Sequence, residues 1–191
     1  MRRIRPGFQA VDVDTWFLKN FNPGIIDYLT GELGFTQQEM DLEYEIWRDY
    51  NMRMDPHFFD GMLKLIADFQ AEGGIVAVVS HSEVDVIRRH YEVRAGGVMP
   101  DIIFGWDYDE SKRKPSVYPV EQICEKFSVE RESMLMVDDL KPGLTMAKNA
   151  GISIAGAGWG HDIAEIRGYM SEHCDFYFDT VAGLAAHIMD C

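Results

Sequence analysis

The sequence predicts an α/β fold in which a doubly wound parallel sheet carries a small helical insertion. Three observations predict it. Short apolar runs of strand length, beginning near Phe8, Ile75, Asp101, Met134 and Ile152, alternate with longer segments of helical periodicity, a pattern that calls for parallel strands joined by helices. Several of these runs stop abruptly at polar residues: Asp12 and Asp14, Ser80, and Asp138 and Asp139. In open parallel sheets the loops at the carboxyl ends of the strands converge over a rigid base, where ligands bind. Finally, the stretch between Thr15 and Pro56 has helical periodicity but no strand-like run. The expected organisation is an α/β core over residues 1–16 and 57–191 and a small helical cap over residues 17–56.

The elements follow in order. Phe8 to Val11 is a buried strand by length and composition and opens into a loop at Asp12-Val13-Asp14. Pro23-Gly24 starts a short helix that ends near Gly31 or Gly34. Thr36 followed by Glu39 is a capping box, and the helix it begins carries Met40, Tyr44, Trp47 and Tyr50 on one face, a stripe expected to pack as core. Asp55-Pro56 closes the insertion. The next helix has Phe58, Phe59, Met62, Leu63, Ile66 and Phe69 on one side and ends at Gly73-Gly74. A strand halted at Ser80, a helix from Glu83 to Arg94 and a short strand from Asp101 to Phe104 come next. After the loop GWDYDESKRKPSVYP, Val120, Ile123, Cys124 and Phe127 face inward from a helix at Tyr118 to Phe127. Met134 to Val137 repeats the opening pattern and ends in Asp138 and Asp139. Pro142 suits the first turn of the following helix and Gly151 its C-terminal cap. A strand at Ile152, the glycine-rich loop AGAGWGHD, a helix, a strand at Phe176 to Phe178 and a helix from Val181 complete the chain.

Composition narrows the function. With 191 residues, 47% apolar and 26% charged, the chain has the makeup of a soluble globular protein. A net charge of −14 argues against binding nucleic acid or an anionic membrane, since a polyanion is repelled before contact. The opening MRRIRPG precedes no apolar stretch, so neither a signal peptide nor a membrane span is expected. Three cysteines, Cys124, Cys174 and Cys191, form no CxxC pair and suit a reducing, cytoplasmic setting.

Taken singly, the polar residues carry little: carboxylates end strands as turn formers, and Lys112, Arg113 and Lys114 read as a solvated charge run. Together they point to one site. Carboxylates from two strand ends make a hard, oxygen-rich centre suited to Mg²⁺, and a serine hydroxyl with a lysine ammonium can neutralise a phosphoryl group.

Asp12 to Asp14, Ser80, Lys114-Pro115 and VDDLKPGLTMAKNAGI from Val137 resemble, in order, the four motifs of the haloacid dehalogenase superfamily. The WGH around Trp159 is similar to a loop of its phosphoglycolate-phosphatase-like branch. The resemblance implies a Rossmann-like core and a Mg²⁺-dependent phosphatase acting on a small phosphorylated substrate. Asp12 would be the nucleophile and Asp14 the general acid and base. Ser80 and Lys114 would bind the phosphoryl group, with His81 beside them, where relatives often have asparagine. The metal would fall to Asp12, the Asp14 backbone carbonyl, Asp138 and Asp139. Two departures stand out. The usual DxDGT would put glycine and threonine where this chain has Thr15 and Trp16, and the insertion is shorter than the four-helix cap common among relatives. Trp16 keeps a second reading open, a binding or scaffolding protein of the same fold, and a phosphomutase would share the core. Oligomeric state is not legible.

Overall fold

The structure, a computed structural model, describes residues 5–189; Met1 to Ile4, Asp190 and Cys191 lie outside them. The chain forms two compact units, Met1–Met54 and Asp55–Cys191.

In the first unit, helix α1 spans Val13–Phe21, α2 at Ile25–Asp27 runs into a π-helical turn at Tyr28–Glu32, and α3 spans Gln37–Arg53. The capping box forms as its residues dictate: the Glu39 amide donates to Thr36 Oγ1 at 3.3 Å, and the Thr36 amide donates to Glu39 Oε2 at 2.9 Å. Arg5 closes this end of the unit. It donates to Glu39 at 2.6 Å and to the Leu33 carbonyl at 2.6 Å, and its hydrogen bonds hold the Glu39 carboxyl down to about 2. Tyr28, Leu29 and Phe35 are buried together, with Trp16, Ile25 and Met40 packed against them. The α3 stripe differs from expectation: Met40, Tyr44 and Trp47 are only half-buried and Tyr50 is 57% exposed. Tyr44 and Trp47 instead stack on one another at 6.2 Å, as aromatic residues three apart on a helix can.

In the second unit, strands β1 (Ala77–Val79) and β2 (Ile102–Phe104) form one parallel pair. Strands β3 (Leu135–Asp138), β4 (Ser153–Ala157) and β5 (Phe176–Phe178) form a parallel sheet in that order. Helices α4 (Met62–Ala71), α5 (Val84–Arg94), α6 (Tyr118–Phe127), α7 (Lys141–Ala150), α8 (Ala164–His173) and α9 (Val181–Met189) accompany them. Helix α4 serves both sheets with adjacent residues. Its Leu65 is buried with Ala155, Val181 and Leu184 against Leu135 and Val137, while Ile66 is buried with Ile87 and Tyr91 against Val78 and Ile103. Burial of each such side chain contributes roughly 1.5–3 kcal/mol. Ile154 and Ala155 on β4, the middle strand of its sheet, are fully buried, as a parallel strand covered on both faces requires. Gly151 ends α7 at φ +69°, the left-handed cap its position predicted. Among the described residues no helix is long and apolar enough to cross a membrane.

Several expectations are corrected, the first being that the loop read at Asp12-Val13-Asp14 is instead the start of helix α1. Phe8 to Val11 forms no strand among the described residues, and Val11 is 37% exposed. A strand exists only by pairing, and within the first unit, which is all helix and turn, no strand stands beside this one. The strands of the second unit are all parallel, in a β1–β2 pair and a β3–β4–β5 sheet accompanied by helices, the α/β class expected. The helix expected from Phe58 begins at Met62, because Gly61 takes a left-handed φ of +83°, and Phe58 instead packs edge-on against Tyr91 at 4.9 Å.

Candidate active site

The carboxyl ends of β1 and β3 and the loop after β2 supply the polar residues of the second unit. The Ser80 amide donates to the Phe104 carbonyl at 2.9 Å, prolonging the β1–β2 ladder by one rung, and Ser80 Oγ accepts from the Ser82 amide at 3.0 Å, which tightens the turn. The next side chain, His81, places Nε2 at 2.9 Å from the carbonyl oxygen of Lys114. Lys114 in turn donates from Nζ to Asp138 Oδ2 at 2.6 Å, and the two side chains are only 11% and 8% exposed. Asp138 Oδ1 accepts from the Leu140 amide at 2.9 Å, so both its oxygens are engaged. The positive run therefore divides: Lys112 is exposed, Arg113 stacks over Trp106 at 4.1 Å, and Lys114 is withdrawn into an ion pair.

Asp139 follows at the tip of β3. Burial first, and then the adjacent Asp138 charge, push its carboxyl above the usual carboxylate range, with His161 and Lys114 pulling the other way. Two glycines shape this tip, Gly143 in α7 and Gly160 in the loop AGAGWGHD. A Cβ on Gly143 would fall 2.2 Å from Asp138 Cγ, and one on Gly160 would fall 2.8 Å from Asp139 Oδ2. A helix-interior glycine costs about 1 kcal/mol relative to alanine, so Gly143 inside α7 was the available signal. The loop bearing Gly160 is held by Arg167, which donates to the Gly158 carbonyl and to Asp179.

Asp12 and Asp14 lie in the first unit. Asp12 caps α1: its Oδ1 accepts from the Thr15 amide at 2.7 Å, and this bond with that of the Thr15 side chain holds the carboxyl below its ordinary value. Asp14 stands in the first turn of the same helix, exposed. Trp16, in place of a threonine, packs edge-on to Tyr28 at 6.3 Å, so its bulk is taken up by the cluster of this unit. Asp12 borders a pocket of about 200 Å³ lined also by Phe8, Val11, Val13, Trp16 and Tyr28.

Residues 18–157, well over half of the chain, match the family described as haloacid dehalogenase-like hydrolase. The chain belongs to that family. The match contains Ser80, Lys114, Asp138 and Asp139 and begins after Asp12 and Asp14. No curated protein matches the chain by sequence. Solved structures share the fold of this haloacid dehalogenase-like chain. A predicted phosphoglycolate phosphatase from Haemophilus somnus 129pt is 18% identical with a TM-score of 0.64, over 86% of this chain and 72% of that one. A Bacteroides fragilis protein described as haloacid dehalogenase-like is 18% identical with a TM-score of 0.77, over 96% of this chain and 88% of its own. CbbY from Rhodobacter sphaeroides, in complex with phosphate, is 19% identical with a TM-score of 0.59; 77% of this chain spans 64% of that protein.

The haloacid dehalogenase-like family implies a divalent metal, and the donors on β3 fit one. Asp139, next in sequence to the engaged Asp138, offers hard carboxylate oxygens, and a cation beside it would offset the Asp138 repulsion and the penalty on its buried charge. Among the described residues of the second unit, no three His, Cys, Asp or Glu side chains gather into a metal-sized cluster. Further oxygens must come from elsewhere.

Proposed function

We propose that this haloacid dehalogenase-like chain is a Mg²⁺-dependent phosphatase that hydrolyses a small phosphate monoester through an aspartyl phosphate. In this reading residues 1–16 complete the α/β core with residues 57–191, and residues 17–56 form the cap. Asp12 attacks phosphorus, the ester P–O bond breaks, and Asp14 protonates the leaving alkoxide. Asp14 then takes a proton from water, the resulting oxygen nucleophile attacks the same phosphorus, and inorganic phosphate leaves with Asp12 restored. Ser80 hydrogen-bonds a phosphoryl oxygen, and Lys114 stabilises the charge of the transferring group. Asp12, the Asp14 carbonyl and Asp139 would hold Mg²⁺, with Asp138 on the ion or one of its waters. When bound, the ion offsets the repulsion between a carboxylate and a phosphate dianion.

The observation that carries this reading is the buried Lys114–Asp138 pair at 2.6 Å beside a carboxylate, Asp139, whose charge is penalised by its surroundings. A cation and two acids near the carboxyl end of a parallel strand suit phosphoryl transfer. A cytoplasmic setting goes with the reading, supported by the free thiols of Cys124 and Cys174. The test is hydrolysis of para-nitrophenyl phosphate and a panel of phosphate esters with Mg²⁺ and with chelator. Turnover is expected only with Mg²⁺, and Asp12→Asn is expected to reduce it to background. Because Asn caps helices as well as Asp, the same variant should unfold within about 0.5 kcal/mol of the parent. Turnover that survives chelation or Asp12→Asn overturns the mechanism. Inertness toward every ester, without Mg²⁺ binding, points to a binding protein of the same fold.

A further inference from the structure

We infer that His81 acts on the reaction through Lys114, as a positioning residue that holds the lysine's main chain, and not by touching the phosphoryl group. A carbonyl oxygen only accepts, so the 2.9 Å contact of His81 Nε2 with the Lys114 carbonyl puts the ring proton on Nε2. Burial chiefly, helped by the charges of Lys114 and Arg113, keeps the ring below the usual histidine range against the opposing pull of the Lys114 carbonyl bond and the Asp138 charge, which favours the neutral ring at neutral pH. What remains at Nδ1 is a lone pair, and a lone pair repels a phosphate oxygen.

The surroundings of the ring are built to hold it. Trp106 meets it nearly perpendicular, with centroids 5.6 Å apart, and the Trp106 amide donates to the Ser82 carbonyl at 2.9 Å. Arg113 covers the indole at 4.1 Å while its Nε donates to the Tyr108 carbonyl at 2.6 Å. The loops after β1 and β2 thus interlock around His81, and the contact they protect is on the main chain of Lys114, whose side chain reaches Asp138. Lysine has a long, flexible side chain, so where its ammonium arrives depends on where its backbone is anchored. Misplacing a charge-stabilising group by ~1 Å costs up to about a hundredfold in rate.

This inference rests on the phosphatase reading for its kinetic readout only. His81→Phe keeps a ring but no donor, and His81→Gln restores an N–H at about the reach of Nε2. With para-nitrophenyl phosphate, His81→Phe should lower kcat about ten- to hundredfold with KM within about threefold, and His81→Gln should recover to within about threefold of the parent. In a Lys114→Met background, His81→Phe should cost less than about twofold more, because the residue through which it acts is gone. Independent, additive losses, or a raised KM at unchanged kcat, overturn the inference. Nitrogen-15 NMR of labelled histidine in the unsubstituted chain reads the same contact without turnover. A neutral ring protonated at Nε2 is expected at neutral pH, and an Nδ1–H or imidazolium signal overturns the inference. A chain that hydrolyses no ester sinks the phosphatase reading, and the NMR spectrum then decides the His81 contact by itself.

Discussion

Gly143 and Gly168 are both interior glycines of helices, α7 and α8, and exchanging each for alanine separates helix propensity from site packing. Propensity alone favours both exchanges by about 0.8–1 kcal/mol. At Gly168 a Cβ meets nothing within 4 Å, so Gly168→Ala should keep that gain. At Gly143 the new Cβ would lie 2.2 Å from Asp138 Cγ, 2.3 Å from Oδ2 and 2.4 Å from Asp138 Cβ. Turning the Asp138 side chain cannot relieve the last of these, since its Cβ is fixed to strand β3, and its oxygens are tied to Lys114 and the Leu140 amide. Overpacking of this kind costs about 1–3 kcal/mol, and prising apart a buried ion pair adds to it. Set against the propensity gain, Gly143→Ala should destabilise the protein by about 2–4 kcal/mol. Urea unfolding followed by far-ultraviolet circular dichroism should rank Gly168→Ala above the parent and Gly143→Ala below it, with midpoints separated by roughly 1 M or more. Gly143→Ala should also lose phosphatase turnover, while Gly168→Ala keeps it. A Gly143→Ala protein as stable as Gly168→Ala would mean that α7 does not press on Asp138 as described.

The ion pair itself is tested by Lys114→Met, which leaves the Asp138 charge buried and uncompensated and should cost about 3–5 kcal/mol by urea unfolding. Adding Asp138→Leu should recover most of that stability without recovering activity, and failure to recover would show that the pair is not the source of the loss. Asp139 gives a pH signature. Its folded-state carboxyl is raised, so the native protein binds a proton more tightly than the unfolded chain, and this residue's contribution to stability falls as pH rises from the ordinary carboxylate range through the raised value. Asp139→Asn should flatten that part of the stability profile and make the metal-free protein more stable at neutral pH while abolishing Mg²⁺-dependent turnover. A midpoint difference between the parent and Asp139→Asn that stays the same from acid to neutral pH would contradict it.

Several helices and helix ends were legible in the amino-acid sequence because they are made of near neighbours. The Thr36–Glu39 box, Gly151 at the end of α7 and the span of α6 all depend on groups within four residues of each other, and each forms as the residues indicate. Polar strand ends were legible too, since Ser80, Asp138 and Asp139 stand out by type against apolar runs. Four things were decided only by tertiary structure. Phe8 to Val11 has the composition of a strand, but a strand needs a partner that no local rule supplies. Which cation of the run at Lys112 to Lys114 would be buried depended on an acid 24 residues further along the chain. The reach of His81 to the Lys114 carbonyl, and the space left by Gly143 for Asp138, are likewise distances between segments remote in sequence. Local hydrogen bonds are written in consecutive residues; the burial and pairing of charges are settled only when distant segments meet and water is excluded between them.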